Sequence, residues 1–438
     1  MKNIALSILL IIMGLEVGLC QGKENTPQNE HNPSISKLGW RDLEESEDYV
    51  ARHECSFVQA GDKFIMFGGR ESARRLDIYD YKTDSWSQGA EAPKEFNHFQ
   101  ATSYQGLVWV IGSFKTNNFP KEEPEENIWI YHPPIDRWIK GPEIPKERRR
   151  GGAGLVVYDN RFYVIGGNTI GHDGGYVSWF DSYDPSTGKW SILKDASVAR
   201  DHFSAAVIDG LLYAVAGRKS GGEGGVFAPL PSEVEIYDFE SNTWSVLDQG
   251  IPTPRAAPGV AVLDDLLYVI GGEGSKHGPA YRKTEIYDPK TEEWKSGGMM
   301  VHPRHGTQAI VSGDGIFIAG GSPVRGGGRQ HNMEVYGKNE PQGDLLIAGV
   351  LDVDNKVKIV KEEGVVVLYN TQGNTGLFIN EVSLSSNDIF QLKRDYNNRL
   401  IATGDSLSLK VNRIDHSNES CFLTIRYNEN EYVEVQLY

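Results

Sequence analysis

The chain has 438 residues, a formal net charge of −16 and 10% aromatic residues. This length is too great for one ordinary core and indicates two domains or an array of repeats. The acidic balance argues against a nucleic-acid partner, because phosphate binding needs a basic surface. The aromatic content, together with 49 glycines, is typical of a folded, turn-rich protein rather than a disordered one.

The first twenty residues, MKNIALSILLIIMGLEVGLC, place one lysine before an apolar stretch and so predict a signal peptide over 1–20. We expect cleavage before Gln21, a polar linker over 21–37, and export to the periplasm, the cell surface or the medium of a bacterium. The alternative is a lipid anchor at Cys20, as in bacterial lipoproteins. No later apolar run is long enough to form a transmembrane segment.

A pattern of about 50 residues then recurs along the chain. Each unit has an apolar strand that ends in Gly-Gly, as in FIMFGG at 64–69 and YVIGG at 163–167 and 268–272. A tyrosine and a tryptophan follow at a spacing of seven in five units: Tyr79 and Trp86, Tyr131 and Trp138, Tyr183 and Trp190, Tyr237 and Trp244, Tyr287 and Trp294. We interpret each unit as four β-strands.

These units resemble the kelch repeat over residues 38–337, and the resemblance implies a β-propeller. Six Gly-Gly positions predict six blades. The last unit has Tyr336 without a following tryptophan, whereas Trp40 has no preceding tyrosine. We therefore predict that the N-terminal strand completes the last blade, which leaves no long sheet edge unpaired.

Residues 338–438 lack tryptophan and alternate apolar with polar residues, as in SLSLKVN and YVEVQLY. This segment resembles the immunoglobulin-like sandwiches of the ASH type that are appended to exported bacterial proteins. The predicted fold class is therefore all-β: a six-bladed kelch β-propeller closed by an N-terminal strand and followed by a small β-sandwich.

We call the position 17 residues before the second glycine of each Gly-Gly pair the ring position. Five of the six units have an arginine there, and the second unit has Phe96. We expect the ring position to open on the mouth of the central channel. The residue after Gly-Gly points to the same mouth and adds two arginines. Guanidinium groups bind carboxylates bidentately, so we predict an anion-binding mouth formed by Arg52, Arg70, Arg150, Arg200, Arg218, Arg255 and Arg304. The alternative is a structural role, in which each arginine pairs with an acid or a carbonyl group.

The segment GGEGSKHGPAYR at 271–282 resembles bacterial sialic acid mutarotases, which are also kelch propellers. The resemblance implies that Glu273 and Arg282 are catalytic residues. Burial of Glu273 in the mouth would make it a usable proton acceptor, whereas nearby cations would lower its pKa.

Histidines also lie near the mouth, but they come from different blades. We therefore expect no metal site, since three or four ligands would have to converge; these residues are His53, His98, His172, His202, His277, His305 and His331. No cofactor is expected. Cys55 and Cys421 are predicted to be packed side chains of the core.

These features predict an exported propeller that binds an acidic ligand at an arginine-lined mouth. An anionic saccharide is the favoured ligand, with aromatic loop residues stacking on sugar rings: Phe114, Phe119, Tyr176 and Tyr281. Two alternatives remain open at this point. One is a scaffold that docks an acidic peptide, and the other is a mutarotase or epimerase that uses Glu273.

Overall fold

A computed structural model describes residues 39–43, 45–360, 362–415 and 419–438. The predicted signal peptide, the linker and Cys20 lie outside the described residues. Within the described ranges, no helix is long and apolar enough to cross a membrane. The helices described there are three short 3-10 turns: Pro133–Ile135, Lys146–Arg148 and Gly171–Asp173.

One short strand, β1 (Trp40–Asp42), precedes a series of four-stranded antiparallel sheets, which we call blades. Blade 1 contains β2 (Cys55–Ala60), β3 (Lys63–Gly68), β4 (Leu76–Asp80) and β5 (Ser85–Gln88). Blade 2 contains β6 (Ala101–Tyr104), β7 (Leu107–Val110), β8 (Asn127–His132) and β9 (Arg137–Glu143). Blade 3 contains β10 (Gly154–Tyr158), β11 (Arg161–Ile165), β12 (Phe180–Asp184) and β13 (Lys189–Ile192).

The next two blades repeat this order. Blade 4 contains β14 (Ser204–Ile208), β15 (Leu211–Val215), β16 (Glu235–Asp238) and β17 (Thr243–Val246). Blade 5 contains β18 (Gly259–Leu263), β19 (Leu266–Ile270), β20 (Lys283–Asp288) and β21 (Glu293–Met299). Blade 6 contains β22 (Ala309–Ser312), β23 (Gly315–Ala319) and β24 (Met333–Gly337). Its fourth strand is β1, in the order β1-β24-β23-β22.

The closure by β1 confirms the prediction made from Trp40 and Tyr336. These two residues are direct partners in the antiparallel register, and their ring centroids lie 5.5 Å apart. The indole Nε1 of Trp40 also donates a hydrogen bond of 2.7 Å to Oγ1 of Thr284 in blade 5. The first strand therefore ties the last blade to its neighbour.

The tyrosine–tryptophan spacing has a local cause. Tyr79 on β4 is paired directly with Trp86 on β5, and the same register holds in every blade that has the motif. The Tyr79 hydroxyl donates to Asp84 Oδ1 at 2.6 Å, in the turn between the strands. The spacing of seven is thus the length of one hairpin, and in blades 1, 2 and 4 the tyrosine hydroxyl also donates to a residue of the hairpin turn.

The C-terminal strands form two sheets around one buried core. One sheet has the order β25-β27-β31-β29, with β25 (Leu351–Asp352), β27 (Glu363–Asn370), β29 (Phe390–Leu392) and β31 (Ser406–Arg413). The other has the order β26-β33-β32-β28-β30, with β26 (Lys356–Val357), β28 (Leu377–Leu384), β30 (Arg399–Ile401), β32 (Cys421–Tyr427) and β33 (Glu431–Leu437). Cys421 is buried in this core, as predicted. The immunoglobulin-like resemblance stays a prediction.

The sandwich packs against blades 2 and 3. Phe378 and Leu400 join a buried cluster that contains Trp109 and Phe162 of these blades. The backbone N–H of Leu400 donates to the carbonyl of Pro185 at 2.8 Å. An apolar contact supported by backbone hydrogen bonds holds the two parts together.

Candidate functional site

The five ring arginines lie inside the blades, which corrects the expectation that they line the mouth. Their side chains are at most 1% exposed. Each guanidinium pairs with a carboxylate on the third strand of its own blade: Arg52 with Asp77, Arg150 with Asp181, Arg200 with Glu235, Arg255 with Glu285 and Arg304 with Glu334. A buried guanidinium needs such partners, because transfer of an unpaired charge from water to the protein interior has a large free-energy cost.

In blades 3 to 6 the ring arginine also donates a hydrogen bond to a carbonyl group at the Gly-Gly turn. Arg255 Nη1 donates to the carbonyl of Gly271 at 2.8 Å, and Arg304 Nη1 donates to that of Gly320 at 2.7 Å. Blade 2 has Phe96 at the ring position and Trp129 at the acid position, and both belong to one apolar cluster. In blade 2, two apolar residues thus take the place of both the arginine and the carboxylate. Replacement of both members together indicates that the pair has a structural role.

The Gly-Gly turn directs the next residue toward the mouth. Gly272 has φ +97°, and a Cβ there would lie 2.9 Å from the carbonyl oxygen of Ala256, so a side chain is excluded. The residue that follows, Glu273, is bridged to Ala256 by two backbone hydrogen bonds. Blades 1 and 4 have Arg70 and Arg218 at the same position, and both arginines line the pocket at the mouth.

A second ring of residues lies two positions after the ring position. Its members have positive φ and are Glu54, His98, Gly152, His202, Ala257 and Gly306. Each backbone N–H from His98 onward donates to the carbonyl of the preceding member, at 2.6–3.1 Å. Left-handed backbone is costly for residues with a side chain and is concentrated at functional sites. This inner ring turns Glu54, His98 and His202 toward the axis.

A cavity of about 310 Å³, the axial pocket, opens above the inner ring. All six blades contribute to its lining, which includes Glu54, His98, His172, Arg218, Glu273 and Gly326, one from each blade in turn. A smaller cavity of about 40 Å³ shares Glu54 and His98 with it and is also lined by His202. The axial position identifies this pocket as the candidate functional site.

Two phenylalanines form aromatic walls of the axial pocket. Phe119 is 59% exposed, and its ring centroid lies 5.1 Å from that of His172. Phe227 lies in the long loop of blade 4, with the guanidinium of Arg218 5.2 Å from its ring centre. Of the aromatic residues predicted to stack on a sugar, Phe119 is the one that lines this pocket; Phe114 is buried, and Tyr281 lines a different cavity.

The charges in the axial pocket are paired. Arg218 pairs with Glu273, and Arg70 pairs with Glu122. Burial by itself would raise the pKa of Glu54, but the electrostatic interactions of its carboxylate with His305, His202, His53 and Arg218 outweigh the effect of burial and lower the pKa to about 2. The lining therefore combines two guanidinium groups with two carboxylates, Glu54 and Glu273, and has no net excess of positive charge.

Glu273 and Arg282 do not share a site. Glu273 lies in the axial pocket and is 1% exposed, with His305 Nε2 3.5 Å from its Oε2. Arg282 is exposed, does not line that pocket, and donates through Nε to the carbonyl of Met300 at 2.6 Å. Burial favours a higher pKa for Glu273, yet His305 and Arg218 hold it below its usual value. A carboxylate with a lowered pKa is a poor proton acceptor, so the predicted catalytic pair is corrected.

Three histidines from different blades lie close together, although we expected histidines from different blades to lie apart. His98, His172 and His202 are buried, and a ring nitrogen from each lies within 4.8 Å of the others. Their ring centroids are 4.5–4.9 Å apart. Burial lowers the pKa of His98 well below its usual value and that of His172 to about 4, so both rings are neutral at pH 7. His277, by contrast, is exposed.

A sequence signal for this site exists but is easily missed. In the inner ring, three blades have glycine or alanine, which leave the axis open. Glu54, His98 and His202 are the polar exceptions. The position two residues after the ring arginine therefore marks the axis, whereas the arginine itself marks the blade interior.

The repeat, the closure and the axial pocket define the fold as a kelch β-propeller. A family model described as the KLHDC2/KLHL20/DRC7 Kelch-repeats domain matches residues 141–321. Kelch-like protein terF of Aspergillus terreus is 28% identical over 296 residues, which cover 63% of this chain and 62% of that protein. Human Kelch-like protein 23 is 24% identical over 296 residues, covering 67% of this chain and 48% of that protein. These matches support the kelch-repeat family.

The chain spans only 62% and 48% of the length of these two relatives. A solved structure titled "Structure of YjhT" superposes with a TM-score of 0.57 at 16% identity, covering 67% of this chain and 96% of that one. This likeness shows the fold alone. The relatives named here are eukaryotic, and the predicted bacterial origin and export stay predictions.

Proposed function

We propose that this protein binds a saccharide in the axial pocket. The observation that carries the proposal is the combination of aromatic walls with paired charged groups in one cavity of about 310 Å³. This volume is at the lower end of the range for small-molecule sites. Phe119 and Phe227 offer ring faces to the C–H groups of a sugar.

The hydroxyl groups of a sugar would meet hydrogen-bonding groups in the same cavity. Glu54 and Glu273 accept hydrogen bonds, and Arg70 and Arg218 donate them. Arg70 is the guanidinium with more exposed surface, at 17% of its side chain against 1% for Arg218. A carboxylate on the saccharide would therefore bind Arg70. The more specific form of the proposal is that the saccharide is acidic.

The small size of the pocket favours a saccharide over an acidic peptide. The five buried ring arginines, which had suggested a broad anionic mouth, are already paired inside their blades. A peptide of several residues exceeds a cavity of about 310 Å³ and would have to bind mostly outside it. Peptide docking is therefore an outcome of the test rather than a second proposal.

The proposal is tested with a glycan array followed by calorimetry with galactose and galacturonic acid, using the whole protein. We expect saturable binding, and at least tenfold weaker binding by Phe119→Ala, which removes an exposed ring and little of the core. The matched control is Phe422→Ala, whose ring is 45% exposed on the sandwich. Absence of glycan binding, or equal binding by Phe119→Ala and the parent, would overturn the proposal. Preference for galacturonic acid that disappears in Arg70→Met would support the acidic form.

A further inference from the structure

We propose that His98, His172 and His202 bind one divalent transition-metal ion at the inner end of the axial pocket. The proposal goes beyond saccharide binding and does not depend on it. The three rings come from blades 2, 3 and 4 and meet near the propeller axis, with one nitrogen of each within 4.8 Å of the others. Three nitrogen atoms that bind one zinc ion tetrahedrally lie roughly 3.4 Å apart, so the three rings have to approach one another when the ion binds.

The hydrogen bonds of the three rings select the same nitrogen for the ion. Each Nδ1 faces an oxygen acceptor: Asn97 Oδ1 at 2.6 Å from His98, Glu122 at 3.0 Å from His172, and Asp201 from His202. A metal-binding histidine characteristically donates its other ring N–H to a carboxylate or a carbonyl group. With Nδ1 engaged, Nε2 is the atom left to bind a metal.

The Nε2 atoms of His98 and His202 are buried and make no hydrogen bond within the described part of the chain. A buried polar atom without a hydrogen bond costs stability, and a bound ion can relieve this cost. Both atoms belong to the histidine cluster rather than to separate sites. A shared ion would satisfy them together.

The acceptors that orient the rings are themselves fixed. Asp201 accepts hydrogen bonds from the backbone N–H of Ser220 at 3.0 Å and from its hydroxyl at 2.6 Å. Glu122 accepts one from the backbone N–H of His172 at 3.1 Å and pairs with Arg70. Such an outer layer, which sets ring orientation and raises ligand basicity, distinguishes a prepared site from histidines packed by chance.

Glu54 lies beside this cluster. Its Oε2 is 3.5 Å from Nε2 of His98, and its side chain is 8% exposed. This carboxylate is within reach of a fourth coordination position, either as a ligand or as an acceptor for the proton of a metal-bound water. His98, His172 and Glu54 also line the axial pocket, so a small molecule there would reach the ion.

The ligand set indicates the class of metal. Three imidazole nitrogens with one carboxylate suit zinc, copper, nickel or iron, whereas magnesium and calcium prefer oxygen ligands. The test uses untagged whole protein that has been treated with a chelator and then titrated with Zn²⁺ and with Co²⁺. We expect one equivalent of Zn²⁺ by calorimetry and a visible Co²⁺ absorption band of a four- or five-coordinate site.

His202→Ala should weaken Zn²⁺ binding by at least 100-fold, and Asp201→Asn, which keeps the side-chain volume, by 10- to 100-fold. The matched control is the exposed His277→Ala, which should bind as the parent does. Circular dichroism without metal verifies that each variant is folded. A parent protein without saturable Zn²⁺ or Co²⁺ binding, or an Asp201→Asn variant that binds Zn²⁺ as tightly as the parent, would overturn the proposal. Neither measurement involves a sugar, so its failure is distinguishable from failure of the saccharide proposal.

Discussion

Nη2 of Arg304 lies 2.6 Å from Oε1 of Glu334, and both side chains are fully buried inside blade 6. The same arginine donates to the carbonyl groups of Gly320 and Asn332 at 2.7 and 3.1 Å. One side chain thus joins the segment before the first strand, the Gly-Gly turn and the third strand. The ring arginine fastens each blade that has it.

Arg304→Met should destabilise the protein by about 3–5 kcal/mol, because it leaves the carboxylate of Glu334 buried without a cation. Urea unfolding at pH 7 measures the loss. The double variant Arg304→Met with Glu334→Met should recover part of it, since no buried charge remains and blade 2 already has an apolar pair at these positions. A single variant as stable as the parent would contradict the structural role.

Removal of β1 should destabilise the ring as a whole. A chain that begins at residue 45 loses Trp40 and exposes the edge of β24, so we expect its Tm to fall by roughly 5 °C or more. The control is a chain that begins at residue 38 and keeps β1. Equal Tm values for the two would show that closure contributes nothing.

His132 should make stability depend on pH. It is buried beside the sandwich, with Nε2 3.4 Å from Oγ1 of Thr375. Burial, assisted by Arg137, lowers its pKa to about 4. The unfolded chain, with a pKa of about 6.5, takes up the proton first, so stability falls as pH drops from about 6.5 toward 4.

The loss attributable to His132 should reach about 3 kcal/mol at pH 4. His132→Gln stays neutral and should lack this part of the decline, whereas all other titrating groups are shared with the parent. Urea midpoints of both proteins at pH 7.5, 6, 5 and 4 measure the difference. Parallel curves for the two proteins would refute the assignment.

Cys55 should be unreactive in the folded protein. It is 3% exposed, and burial raises the pKa of its thiol to about 12, so little thiolate is present at pH 8. Treatment with iodoacetamide followed by peptide mass spectrometry should find Cys55 unmodified in buffer and alkylated in urea. Rapid alkylation in buffer would show that the first blade opens readily.

The sequence predicted those features that depend on near neighbours in the chain. The spacing of Tyr79 and Trp86 is one hairpin, and the positive φ of Gly272 is a property of one turn. The closure by Trp40 also followed, because an unpaired tyrosine and an unpaired tryptophan at opposite ends of the repeat array complement each other. Even the structural role of the ring arginines stood as the alternative interpretation.

The direction of a side chain and its distant partners were not available from the sequence. An arginine near the axis can face the mouth or the blade, and the choice is decided by a carboxylate that lies on the third strand, as Asp77 does for Arg52. Likewise, His98, His172 and His202 are close only because six blades close into a ring. The local repeat in the sequence therefore determined the fold. The site depends on residues from different blades that come together only when the ring closes, so only the tertiary structure showed which residues form it.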